Sequence, residues 1–133
     1  MLKYFAIVLV FMQISYAEML KVIDDISELP KEKNTLLMFS MQYCPYCNRQ
    51  ESSIIKRIKP KFTEVTYLKV MKGSKAFDQL IKTGNFGEVE YFPTTFILTV
   101  DPDGTIYVKY PFKGWQRSSA IIDILNNKEI MED

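Results

Sequence analysis

At positions 35–48 the chain reads Thr35-Leu36-Leu37-Met38-Phe39-Ser40-Met41-Gln42-Tyr43-Cys44-Pro45-Tyr46-Cys47-Asn48. Residues 35–39 are a short apolar run bounded by Lys31-Glu32-Lys33-Asn34 and by Ser40, the pattern of a buried strand. Just beyond stand the chain's two cysteines, three positions apart. A helix is expected from Cys44 or Pro45 to about residue 59, with Ile54, Ile55 and Ile58 on its inner face and Pro60 ending it. Pro45 suits the first turn, where its missing N–H costs nothing. A thiolate at a helix N-terminus is stabilised by unpaired backbone N–H groups and the positive end of the helix dipole. Together these can bring a thiol pKa from about 8.5 into the range of roughly 3.5–7.5. The thiolate is the form that attacks disulfides, so a redox dithiol is the leading reading of Cys44 and Cys47. The alternatives are two buried structural cysteines or half of a metal site. With no histidine and no third cysteine, one chain cannot assemble the four Cys/His ligands that structural zinc prefers. Asn48 excludes the Cys-x-x-Cys-His haem attachment pattern.

Further upstream, Met1-Leu2-Lys3 is a short basic start and residues 4–14 are nearly all apolar. Ser15-Tyr16-Ala17 puts small residues at the two positions a signal peptidase reads. The expectation is a secretory signal peptide over 1–17, cleaved near Ala17, and a periplasmic or otherwise exported domain over 18–133. The apolar run is short of the roughly 18–20 residues a spanning helix needs. The alternative, a buried N-terminal helix, conflicts with the absence of amphipathic spacing. Export would put the dithiol in an oxidising compartment, where partners set its redox state. The hydrophobic share of 47% is that of one ordinary globular domain. A net charge of +1 gives no bulk electrostatic reason for nucleic acid or membrane binding.

Downstream of the signal, Val22, Ile23, Ile26 and Leu29 recur at helical spacing before Pro30, which predicts a first helix. Residues 65–70 read as a second strand. Residues 74–82 read as a short helix carrying Ala76, Phe77, Leu80 and Ile81 and closed by Gly84. Phe96-Ile97-Leu98 and Ile106-Tyr107-Val108 flank Asp101-Pro102-Asp103-Gly104, a turn signature that predicts a hairpin. Ala120, Ile121, Ile124 and Leu125 share one face of a last helix over 118–126. The order helix, strand, helix, strand, helix, strand, strand, helix fits an α/β fold whose first strands are joined by crossovers and whose last two pair antiparallel.

Three separated features resemble the thioredoxin family over essentially all of 18–133. One is the strand, dithiol and helix start from Phe39 to Cys47. The second is Val89-Glu90-Tyr91-Phe92-Pro93-Thr94, similar to the family's loop and cis-proline before the hairpin. The third is Lys113-Gly114-Trp115, where the family keeps a glycine. The resemblance implies a thioredoxin-like fold with a central mixed sheet of about four strands flanked by helices. It also implies thiol–disulfide oxidoreductase activity: Cys44 attacks a substrate disulfide, and Cys47 resolves the mixed disulfide. Tyr43, Pro45, Tyr46, Phe92, Pro93 and Trp115 would surround a groove where an extended substrate pairs with the Phe92 backbone. Phe92 reads equally well as a core side chain. Protein disulfides or dithiols are the expected substrates, with reduction favoured over oxidation and a membrane thiol donor to recharge the dithiol. No cofactor and no metal are expected. The alternatives are a protein-disulfide oxidase and a thioredoxin-fold interaction module with a structural disulfide.

The chain also departs from that family. Met38 stands where the family's buried aspartate would, six residues before the first cysteine, so the usual proton-moving carboxylate is missing. Lys69 resembles the family's neighbouring lysine and reads equally well as a solvated strand-edge lysine. Tyr43 replaces the usual tryptophan. Pro45-Tyr46 resembles the glutaredoxin dipeptide, but no Gly-Gly pair follows the hairpin to contact glutathione.

Overall fold

In the computed structural model, which describes residues 19–132, five strands form one mixed sheet in the order β1-β3-β2-β4-β5. The strands are β1 (Lys21–Val22), β2 (Thr35–Ser40), β3 (Thr66–Met71), β4 (Thr94–Val100) and β5 (Ile106–Lys113). The helices are α1 (Pro45–Ser53), α2 (Lys75–Lys82), α3 (Ser118–Leu125) and α4 (Lys128–Met131). β2 lies at the centre, parallel to β3 and antiparallel to β4. All six of its residues are buried, which is why it reads as a continuous apolar run rather than an alternation. Successive side chains go to opposite faces. Leu37 and Phe39 join Ala76 and Leu80 of α2 in one core. Leu36 and Met38 join Ile54 and Ile58 beyond α1, and Ile121 and Leu125 of α3, in the other.

The predicted first helix is not formed. Lys21–Val22 instead adds a two-residue strand to β3, and the Ile23 N–H donates to the Lys69 carbonyl at 2.9 Å. Helical structure is confined to one 3₁₀ turn, Ile26–Glu28, closed by a capping box. The Asp25 carboxylate accepts the Ser27 N–H at 3.0 Å, and the Glu28 carboxylate accepts the N–H groups of Asp24 and Asp25. These side chains take the donors a longer helix would need, and β3 has a free edge to fill. Ile23 and Leu29 are buried all the same.

The helix after the dithiol runs as expected through Ser53 and then widens into a π turn, Ile54–Ile58, with the Lys59 N–H bonded to the Ile54 carbonyl at 2.9 Å. Ile54 and Ile58 are buried, whereas Ile55 packs at the core's margin. The hairpin closes at Gly104, whose φ of +94° is a left-handed conformation that favours glycine. A shift in the β4–β5 register between Ile97 and Leu98 leaves Lys109 as the extra residue of β5. Its ammonium group donates to Asn34 and to the Met131 carbonyl, which ties α4 to the sheet. No sequence signal had pointed to α4 or β1. The signal-peptide reading of 1–17 lies outside the described residues. No helix among the described residues is long and apolar enough to cross a membrane.

Candidate functional site

Sheet register brings the three separated motifs together. Phe39 pairs with Thr94, and Thr94 pairs with Lys113. The loop leaving β2, the loop entering β4 and the loop leaving β5 therefore emerge at one end of the sheet. They carry Tyr43-Cys44, Phe92-Pro93 and Gly114-Trp115.

Cys44 is the residue immediately before α1, in extended conformation, and its Sγ accepts the Cys47 N–H at 3.2 Å. Pro45 follows at the first helical position. The two cysteines are joined by a disulfide with a Cα–Cα distance of 5.2 Å. Cys44 is 9% exposed and Cys47 1%. In the reduced state that N–H would serve a Cys44 thiolate, a charge-assisted bond of the kind that lowers a thiol's pKa. The chain reaches Cys44 through Tyr43, which has a φ of +56° and a side chain 97% exposed. This left-handed conformation is costly for a bulky residue.

The Phe92–Pro93 peptide bond is cis. The Phe92 carbonyl oxygen lies 3.7 Å from the Cys44 Sγ. The Phe92 ring packs at the margin of the α2-side core, 6.2 Å from the Phe77 ring centre, with the Lys72 ammonium 5.5 Å from its centre. At this position the backbone therefore faces the dithiol while the ring packs. Pro93 is buried, whereas Tyr46 and Trp115 are exposed. The Arg49 guanidinium covers the Tyr46 ring at 5.6 Å. Exposed Tyr91, two residues before Pro93, was not singled out in the sequence.

One helical turn past Cys47 stands an ion pair that sequence reading missed in part. Met38 is fully buried, and its β3 neighbour in register is Lys69. Lys69 is not a solvated edge lysine. It is 7% exposed, and its ammonium donates to both carboxylate oxygens of Glu51, at 3.0 and 3.1 Å. Glu51 also accepts the Leu20 N–H at 2.9 Å. The carboxylate absent from the strand at position 38 is thus supplied to Lys69 by the helix. The signal was present: Glu51 is four residues past Cys47 and shares its helix face. Gln50, fully buried, exchanges two hydrogen bonds with the Gln116 backbone, at 2.7 and 3.1 Å, and so fastens α1 to the loop that carries Trp115. Among the described residues no group of three or more His, Cys, Asp or Glu could hold a metal ion.

No protein-family model and no curated protein matches the sequence. Solved structures match its shape. An uncharacterised thioredoxin-like protein from Clostridium perfringens superposes with a TM-score of 0.58 at 22% identity, over 85% of this chain and 84% of that one. Oxidised thioredoxin O2 from Arabidopsis thaliana gives 0.60 at 18% identity, over 82% and 93%. Oxidised mitochondrial thioredoxin 3 from Saccharomyces cerevisiae gives 0.58 at 16%, over 86% and 95%. With the observed sheet order and the Cys-x-x-Cys disulfide at a helix start, these likenesses establish that the chain has the thioredoxin-like α/β fold.

Proposed function

We propose that this protein is an exported thiol–disulfide oxidoreductase that reduces protein disulfides through Cys44 and Cys47. The observation that carries the proposal is the unequal setting of the two sulfurs. Cys44 caps the helix, receives the Cys47 N–H and keeps some exposure, whereas Cys47 is sealed. In the reduced protein the Cys44 thiolate attacks one sulfur of a substrate disulfide, forming a mixed disulfide and expelling the other sulfur as a thiolate, which takes a proton. The Cys47 thiolate then attacks the Cys44 sulfur, forms the Cys44–Cys47 disulfide and releases the second substrate thiol. Two electrons and two protons pass to the substrate, and a thiol donor must restore the dithiol. The Phe92 carbonyl beside Cys44 supports main-chain pairing with an extended substrate. Export rests on the residues of 1–17 alone, which also favour a membrane thiol as donor.

Disulfide reduction by the pre-reduced protein, measured together with its reduction potential, tests the reading. Turnover that disappears in Cys44→Ser is the expected result. A disulfide that resists ordinary thiols and reduces no substrate would overturn the proposal in favour of an interaction module with a structural disulfide. A strongly oxidising potential, with turnover only in the direction of disulfide formation, would make the protein an oxidase.

A further inference from the structure

The chain carries 17 basic and 16 acidic residues, yet around the dithiol the two signs are separated. A groove of about 630 Å³ opens between α1 and the start of α3, lined by Arg49, Lys56, Arg57, Arg117 and Trp115 together with polar side chains. No acidic residue lines it. A smaller cleft, between the loop before β4 and the face of β5, is lined instead by Glu88 and Glu90, with Lys113. Among the described residues none of the groove's four cations makes an ion pair, and all four are exposed.

Neither cysteine lines the groove; its wall begins on the helix just past Cys47 and leads away from the dithiol. One wall, made by α1 and the π turn that continues it, carries positions 48, 52 and 56 and positions 49, 53 and 57, two rows at about one helical turn's spacing. Asn48 and Arg49 directly follow Cys47. At about 1.5 Å per residue the wall is on the order of 12 Å long, the reach of about four residues of extended chain. The opposite wall is Trp115 and Arg117. The reciprocal Gln50–Gln116 hydrogen bonds hold the two walls together, so the groove is formed before anything enters it.

We propose that this groove binds an acidic segment, about four residues long, flanking the disulfide that a substrate polypeptide presents to Cys44. Three of the four cations are arginines, whose planar fork matches a carboxylate in two-point fashion. Cations that form no ion pair, along the helix that starts at Cys44, offer a polypeptide's carboxylates both attraction and register. The Glu88 and Glu90 cleft repels the same segment, so the charge pattern also sets the direction in which the substrate lies. That the occupant is a redox substrate rests on the thiol–disulfide exchange reading. The groove's preference for acidic peptide does not.

Trp115 is the chain's single tryptophan, so its emission reports on the groove directly. The oxidised protein is titrated with a cysteine-free peptide bearing four Asp and Glu residues and with its Asn and Gln counterpart. The acidic peptide is expected to bind roughly tenfold more tightly at about 10 mM salt. Most of that advantage should vanish at about 150 mM, where screening shortens from about 30 Å to about 8 Å. In R57Q/R117Q, with its fold verified by circular dichroism, the ratio should fall toward one. Equal affinities for the two peptides, or a Trp115 response to anionic phospholipid vesicles and not to acidic peptide, would overturn the proposal. A second arm gives the reduced protein the same two peptides, each with a disulfide beside the tract. Faster reduction of the acidic one is expected, and equal rates despite selective binding would overturn the groove's part in substrate choice. Selective binding with no reduction of either peptide would leave the groove standing and remove the exchange reading. Reduction of both with no binding preference would do the reverse.

Discussion

Cys44 and Cys47 are three residues apart and are expected to behave as different thiols. Cys44 keeps 9% of its surface and receives a backbone N–H, whereas Cys47 keeps 1%. In the reduced protein near neutral pH, mass mapping should find iodoacetamide on Cys44 first, and Cys47→Ser should accumulate mixed disulfides through Cys44. Labelling of Cys47 first would exchange their roles. Glu51 and Lys69 invite a second test at this scale. In Glu51→Gln the new amide can still accept the Leu20 N–H, but the Lys69 ammonium loses its counter-charge. Breaking a buried pair on one side costs about 3–5 kcal/mol, with the lower end expected because each side chain keeps about a tenth of its exposure. Urea denaturation should read that loss, and the double variant Glu51→Gln/Lys69→Met should recover much of it. An uncompensated cation near the dithiol also favours the thiolate. Where the single variant folds, its Cys44 alkylation profile should move to lower pH.

At the scale of elements, Gln50 matters more than its polar side chain suggests. It is fully buried on α1, and its amide joins the helix to the β5–α3 loop through both the N–H and the carbonyl of Gln116. Gln50→Leu keeps the volume and removes both bonds, so two backbone groups lose their partners at a cost of about 2–3 kcal/mol. Because the same bonds set the distance between α1 and Trp115, the variant's tryptophan emission should shift to the red as the loop opens. A loss of stability with unchanged emission would show that the loop holds its place without Gln50. The π turn after Ser53 belongs to this scale as well. It leaves Ile54 and Ile58 facing the core, as their four-residue spacing predicts, and moves Ile55, expected on the same inner face, to its margin.

The whole molecule has no histidine, and this shapes its response to pH. The Lys75 ammonium and the Ser27 backbone hold Asp25 far below the ordinary carboxylate range. The Asp24 and Asp25 N–H groups lower Glu28, and Thr105 lowers Asp103. Carboxylates lowered by folding contribute stability above their unfolded values, and that stability is lost as pH falls through the folded ones. Tyr67, pushed up to about 12 by burial and by Glu64, acts at the other limit. Its contribution is complete below the unfolded value of about 10 and is lost as pH rises toward 12. The oxidised protein should therefore be evenly stable from about pH 5 to about pH 10. The reduced protein should not be. If folding lowers the Cys44 pKa, its stability rises with pH between that value and about 8.5, at up to about 1.4 kcal/mol per unit. Denaturant midpoints of both redox forms across this range give the difference, and parallel curves would show that the helix start does not activate Cys44.

Much of this was legible in the sequence because it depends on local rules. The buried run before Cys44, the proline at the first helical position and the Asp101-Pro102-Asp103-Gly104 turn are each specified by a few neighbouring residues. Their order led to the α/β architecture. Where a local pattern had to compete with the rest of the chain, reading failed. Val22, Ile23, Ile26 and Leu29 have helical spacing, but an open strand edge and the carboxylates of Asp25 and Glu28 offered their backbone other partners. The same holds for charge. Sequence shows 17 basic residues against 16 acidic ones and a scatter of lysines. Only packing decides that Lys69 meets Glu51 across the core while Arg49, Arg57 and Arg117 converge on one groove. Hydrogen-bond caps and turns are settled over three or four residues, whereas ion pairs and grooves depend on which elements the sheet brings side by side.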